Sequence, residues 1–309
     1  MVSDGDSVPC DLCADLRSFH IDLSVLQKTV SDHVRGWRVD LAGPVSLADV
    51  FVPFYRYNHK RRESHDMTKE VRIIYENKDI IVVNKPAGLM VHGVAGKVSV
   101  EPALTDILLK KYPEIRKVGD DPTLRPGIVH RLDKDTSGVM IIARNQSSFE
   151  YLKSLFKGRD IKKTYFAIVS GIPKESHGII DKPIGIQTGT MKRSVRSEKM
   201  AKPAVTEYEI FKTARAEDGF GKESPFALLA VRPLTGRTHQ IRVHLTSIGH
   251  PIVGDPIYGP KKQPLWASRL MLHAASIEFS DRSGGHMRFD AEVPEEFERI
   301  FSAETGNLP

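Results

Sequence analysis

The segment His130-Arg131-Leu132-Asp133-Lys134-Asp135-Thr136-Ser137-Gly138 sets charged and turn-forming residues between two apolar runs, Ile128-Val129 and Val139 to Ala143. Those runs are rich in β-branched residues and read as buried strands, and the Asp, Lys, Thr, Ser and Gly between them favour a tight turn. Asp133 then stands at a strand end, held by a scaffold, as a group that could do chemistry. The plainer alternative is a hairpin whose Asp and Thr hydrogen-bond their own backbone. Two further segments carry suitable groups. Lys162-Lys163-Thr164-Tyr165-Phe166-Ala167-Ile168-Val169 reads as a strand with a basic entry and a tyrosine. Leu234 to Leu245 opens a helix whose apolar positions Ile241, Leu245 and Ile248 fall at i, i+4, i+7, and Gly249 and Pro251 close it. His239 and Arg242, three apart, share another face, from which an arginine can reach a carboxylate.

These groups need a scaffold, and the pattern supplies strands over 71–75, 79–83, 127–132, 138–144, 164–170, 204–211, 226–232, 270–279 and 286–291. Helices are expected over 99–112, 145–157, 238–248 and 294–302. Too few helices separate the strands for a doubly wound parallel sheet. The fold class is therefore α+β, with a mixed, largely antiparallel central sheet flanked by helices and loops. Residues 182–202 read as a long, polar, basic loop. A composition shift over 58–70 marks a linker. It divides the chain into residues 1–66, a small and mostly helical accessory segment, and residues 67–309, the main domain. In the first part Leu23, Leu26, Val30, Val34 and Trp37 recur at helical spacing after a possible Asp22 cap.

The 309-residue chain has 45 Lys+Arg against 39 Asp+Glu, a net charge of +6, which suits a polyanionic partner. The basic residues cluster. Arg56, His59, Lys60, Arg61 and Arg62 interleave with Tyr55 and Tyr57; a second group holds Lys157, Arg159, Lys162 and Lys163; a third holds Lys192, Arg193, Arg196, Lys199 and Lys202. Such runs bind phosphates and, with aromatics, stack bases; the bland reading is a solvated basic face. No apolar run is long enough to span a membrane, and Met1 to Asp6 does not resemble a secretory or mitochondrial leader, so a cytoplasmic location is expected. Cys10 and Cys13 form one C-x-x-C with no second pair at metal spacing, which reads as two thiols rather than zinc.

The blocks 130–138 and Lys163-Thr164-Tyr165 resemble the RluA-type pseudouridine synthase family. So do Thr235 to Leu245, Gly249 to Asp255 with Tyr258-Gly259, Arg269 to Ala274, and the opening Asn84-Lys85-Pro86-Ala87-Gly88-Leu89-Met90-Val91-His92. They occur in the family's order and cover roughly residues 71–300. The resemblance implies a pseudouridine synthase catalytic domain and an isomerase that breaks the N1 glycosidic bond of uridine in ribosomal or transfer RNA, turns the uracil and rejoins it through C5. That reaction is redox-neutral and moves no phosphate. No cofactor and no metal are expected, the partner is RNA, and the protein is expected to act as a monomer. The catalytic residues implied are Asp133, Tyr165 and Arg242. Asp133 looks like the ionised carboxylate beside C1′ or the ring, and Arg242 like the cation that keeps it charged in a dry pocket. Tyr165 looks like the aromatic that stacks on the extruded base. Arg131 resembles the residue that fills the vacated stack, Leu272 one that packs under the uracil, and Lys85, His130 and Lys163 lie in the family's substrate-side blocks. Many relatives carry a small helical RNA-binding module where residues 1–66 lie; this stretch lacks its arginine-rich helix pair and closing strand.

Two other classes fit the sequence less well. His130-Arg131-Leu132-Asp133-Lys134 looks like a kinase catalytic loop, but its order is altered, and no Asp-Phe-Gly or glycine-rich phosphate loop accompanies it. The other is a non-catalytic RNA-binding or RNA-remodelling protein that keeps the fold, which would have no need of a buried carboxylate.

Overall fold

The computed structural model describes residues 70–93, 101–187, 189–190 and 192–302. The expectations for residues 1–66, including Cys10, Cys13 and the cluster from Arg56 to Arg62, lie outside them. The strands are β1 (Arg72–Glu76), β2 (Ile80–Lys85), β3 (Ser137–Ala143), β4 (Lys162–Ser170), β5 (His177–Asp181), β6 (Gly185–Ile186), β7 (Arg193–Ser194), β8 (Val205–Glu217), β9 (Glu223–Pro233), β10 (Leu272–Ser280) and β11 (His286–Asp290). The helices are α1 (Leu104–Lys111), α2 (Gln146–Gly158), α3 (Gln240–Ser247) and α4 (Glu296–Ser302).

One nine-stranded sheet runs in the order β1-β2-β3-β10-β4-β9-β8-β5, with β11 on the far half of β10, and β6 and β7 make a separate hairpin. Every pairing in the large sheet is antiparallel except β3 with β10. The fold is the mixed, largely antiparallel α+β sheet that the strand pattern implied. All seven residues of β3 are buried, which is why it reads as a continuous apolar run rather than an alternating one. Helix α2 packs beside it, with the Asn145 side chain accepting from Ser148 N–H at one end and Arg159 in the left-handed region at the other.

The parallel contact between β3 and β10 is short, joining Ser137 to His273 and Gly138 to Ala274. Gly138 has φ +120°, and a Cβ there would collide with the Ala274 backbone. Only glycine lets the two strands come this close. The contact sets the turn that leads into β3 beside the start of β10, and so places residues 130–136 next to Leu272.

Four local expectations are corrected. Residues 127–132 are a loop with one bridge, Ile128 to Ile142, rather than a strand, because Gly127 turns the chain at φ +70° and His130 bonds through its ring. The first helix starts at Leu104, where the Asp106 carboxylate accepts from Ala103 N–H, rather than at residue 99. Residues 182–202 contain the β6–β7 hairpin and a bridge from Ile184 to Lys202. Strand β5 was not foreseen, since Ile179 is exposed on the sheet edge and the segment has no strong apolar pattern.

Candidate active site

The loop that carries Asp133 is fastened from below. Lys85, fully buried at the end of β2, donates through Nζ to the carbonyls of Pro86, Leu89 and Lys134 at 2.8, 2.9 and 3.0 Å. Burial pulls its ammonium down to about 7, the charges of Asp135 and Asp133 work the other way, and three carbonyl acceptors are the partners that hold it. Lys85 is therefore a buried strut beneath the loop and is not among the residues that line the cavity. His130 is likewise occupied. Its Nε2 accepts from Ile141 N–H at 3.0 Å, on the β3 edge where pairing with β10 has ended, and its ring stacks on Phe156. Burial, with the charge of Lys163, pushes its pKa to about 3, so a neutral ring braces the loop.

Arg242 comes from α3, whose first turn is locked in place. Gln240 accepts from the Thr235 hydroxyl and Arg237 N–H, and donates to the Val205 carbonyl and Thr206 hydroxyl on β8. Residues 240–245 are all buried, so the helix has no polar face for His239 and Arg242 to share. His239 instead precedes the helix in the left-handed region, and Arg242, 3% exposed, is inside. A charge there requires a partner, which is Asp255. Arg242 Nε and Nη2 donate to the two oxygens of Asp255, both at 2.8 Å, while Nη1 donates to Asp133 Oδ2 at 3.0 Å. Burial alone would weaken the guanidinium's hold on its proton; the Asp255 bonds and charge, then Asp133, more than offset it. Burial also pushes Asp255 up, but Arg242 and the N–H groups of Ile257 and Tyr258 hold it below its ordinary value of 3.8.

Asp133, Arg242, Tyr165 and Leu272 line one cavity of about 680 Å³, as do Arg131, His130 and Lys163; Lys85 does not. Strand periodicity explains the grouping. Tyr165 sits opposite Ala274 on the neighbouring strand, so Lys163 and Tyr165 on β4 and Leu272 on β10 point to the same face. Burial raises the Tyr165 hydroxyl above its usual 10, and the nearby Asp133 charge adds to this, so the ring is presented as a neutral phenol. Lys163 is lowered by burial, and no carboxylate among the described residues pairs with it. Arg131 is exposed at the mouth, with Nη1 3.4 Å from His92 Nε2.

The family model for RNA pseudouridylate synthase matches residues 79–247, more than half of the chain and all of the Asp133 loop. The chain belongs to the RNA pseudouridylate synthase family. An uncharacterized RNA pseudouridine synthase of Chloroflexus aurantiacus is 42% identical over 70% of this chain and 64% of its own length. A ribosomal large subunit pseudouridine synthase D of Borreliella burgdorferi is 37% identical over 74% of this chain and 66% of its own. The chain thus spans about two thirds of these relatives' length. Among solved structures, human RNA Pseudouridylate Synthase Domain Containing 1 shares the fold with a TM-score of 0.59 and 25% identity, covering 74% of this chain and 86% of that one.

Two residues of the 249–259 block, to which spacing assigns no role, stand behind the synthase cavity wall. Asp255, 1% exposed, follows Gly254, whose φ of +73° and contact with the Arg269 carbonyl leave no room for a Cβ. The available signal was electrostatic: Arg242 falls between Ile241 and Val243 and close to Leu245, and a guanidinium buried there needs a fixed acid besides a partly exposed Asp133. Tyr258, three residues on, lies beneath the Arg242 guanidinium at 5.2 Å and bonds His239 Nδ1 at 2.9 Å. No helix among the described residues is long and apolar enough to cross a membrane.

Proposed function

We propose that this synthase isomerises uridine to pseudouridine at chosen positions of structured RNA in the cytoplasm, with Asp133 as its reacting carboxylate. The N1–C1′ bond is exchanged for a C5–C1′ bond, and one hydrogen leaves C5 while one is gained at N1. One observation carries the reading: a partly exposed carboxylate on the cavity wall takes a single hydrogen bond from an arginine that a buried second carboxylate has already fixed. The charge of Asp133 is kept in place while part of it still faces the cavity. Preorganised groups of this kind act without rearranging during the reaction.

The other lining residues fit an extruded nucleotide. Tyr165 offers a ring face to the base and Leu272 an apolar floor, while Arg131 at the mouth is placed to enter the gap that flipping leaves. Lys163, with no carboxylate partner among the described residues, offers charge to the RNA backbone. Residues 1–66 serve substrate choice or stability, and the chain from Met67 onward carries the chemistry. The non-catalytic alternative gains nothing from a buried arginine between two acids, which is expensive to assemble and repels phosphate at its exposed end.

The test is release of tritium from uridine labelled at C5, using unmodified large-subunit ribosomal RNA and an unmodified transfer RNA pool. The Borreliella relative's name motivates the first substrate. Release from either RNA, with pseudouridine found at defined positions, supports the reading; binding without release from both supports the non-catalytic one.

A further inference from the structure

His239 stands out because its backbone and its ring are both constrained. It is one of three non-glycine residues at positive φ among those described, at +56°, and it occupies the position before α3. A conformation disfavoured for a side-chain-bearing residue at a cavity wall points to a placement the fold has to enforce. The ring is fixed by a chain of hydrogen bonds. Arg193 N–H donates to the Tyr258 hydroxyl at 2.9 Å, and that hydroxyl lies 2.9 Å from His239 Nδ1. With its oxygen already accepting, Tyr258 directs its own proton to Nδ1, the one acceptor it reaches among the described residues. A neutral imidazole has one N–H, so the proton sits on Nε2. That nitrogen lies 3.8 Å from Asp133 Oδ2, the same oxygen that takes the Arg242 bond at 3.0 Å.

We infer that His239 is a positioning residue for the reacting carboxylate. Its Nε2–H, oriented by Tyr258, joins Arg242 on Asp133 Oδ2 when RNA fills the cavity and turns Oδ1 toward the uridine. In the unliganded chain the separation is longer than a hydrogen bond, and a shift of under about 1 Å closes it. Burial lowers the His239 pKa, and Arg242 and Arg193 add to this against the two carboxylates, which keeps the ring a neutral donor. The inference rests on Asp133 being the reacting group.

The experiment measures single-turnover tritium release and RNA affinity for the full chain carrying His239→Ala, His239→Gln or Tyr258→Phe, with Asp133→Asn alongside. A donor on an ionised group is worth enough that His239→Ala slows release about 30-fold while affinity changes less than about 2-fold. Glutamine restores an N–H near the Nε2 position and recovers the rate to within about 3-fold, and Tyr258→Phe, which frees the ring, slows it about 10-fold. Should His239→Ala unfold, Tyr258→Phe decides, since it removes one hydroxyl and keeps the ring. Wild-type release in His239→Ala or Tyr258→Phe, a glutamine variant as slow as alanine, or a loss confined to affinity would each overturn the inference. Release by Asp133→Asn would instead overturn the functional reading beneath it.

Discussion

Arg242 gives two hydrogen bonds to Asp255 and one to Asp133, so the arginine is a bridge whose firm end is in the core and whose working end is in the cavity. The two carboxylates are not equivalent: the Asp255 side chain is fully buried, and that of Asp133 is 24% exposed.

Arg242→Met therefore costs both stability and rate. It strands Asp255 in the core, a loss of about 3–5 kcal/mol, and leaves Asp133 unheld. Adding Asp255→Asn removes the stranded charge. The double variant is expected to regain much of its melting temperature and none of its rate; recovery of tritium release in the double variant would show that Arg242 does not act on Asp133.

The Arg242–Asp255 pair also sets an acid limit. Asp255 holds its proton less tightly in the folded chain than at its ordinary value of 3.8. Its contribution is thus fully present above about pH 4 and fades as pH falls through the lower folded value. Melting curves of the wild type and Asp255→Asn should differ most at neutral pH and draw together as pH falls below the ordinary carboxylate value of 3.8. A constant gap across that range would mean that the Asp255 charge contributes nothing.

Lys85→Met probes the strut. Three carbonyls, one buried and two partly so, lose their donor, at about 2–4 kcal/mol, which for a domain of this size lowers melting by roughly 5–10 °C. Because Lys85 is covered, RNA affinity at fixed salt is expected to stay within about 2-fold. Weakened binding with unchanged melting would return Lys85 to the RNA-contacting residues.

Tyr165 is held as a phenol above its usual 10, so it does not serve as a resident phenolate near neutrality. Release by the wild type should show no rise assignable to Tyr165 between about pH 7 and 10. An alkaline rise that vanishes in Tyr165→Phe would contradict this.

Much of the fold was legible because the strands state their burial in their pattern: β3 and β10 read as apolar runs, and nine strands with few helices exclude a doubly wound sheet. The motifs brought Asp133, Tyr165, Arg242 and Leu272 to one cavity, where the structure also places them. What stayed hidden was which polar residues face inward. Lys85 sits in a family block of its own yet ends β2 beneath the loop, and His130, on the cavity wall, accepts at Nε2 from the β3 edge. Spacing does not reveal that β3–β10 pairing stops at Gly138 and leaves Ile141 N–H to be satisfied. Helical periodicity likewise misplaced His239, because a residue before the first turn in the left-handed region does not follow the helix's rotation.

The most direct measurement is tritium release and RNA affinity for Asp133→Asn in the full chain. Phosphate contacts dominate affinity, so binding is expected to survive within about tenfold, while release of tritium from C5 of uridine is abolished. Sustained release by Asp133→Asn on an RNA that the wild type modifies would remove Asp133 from the chemistry and contradict the account.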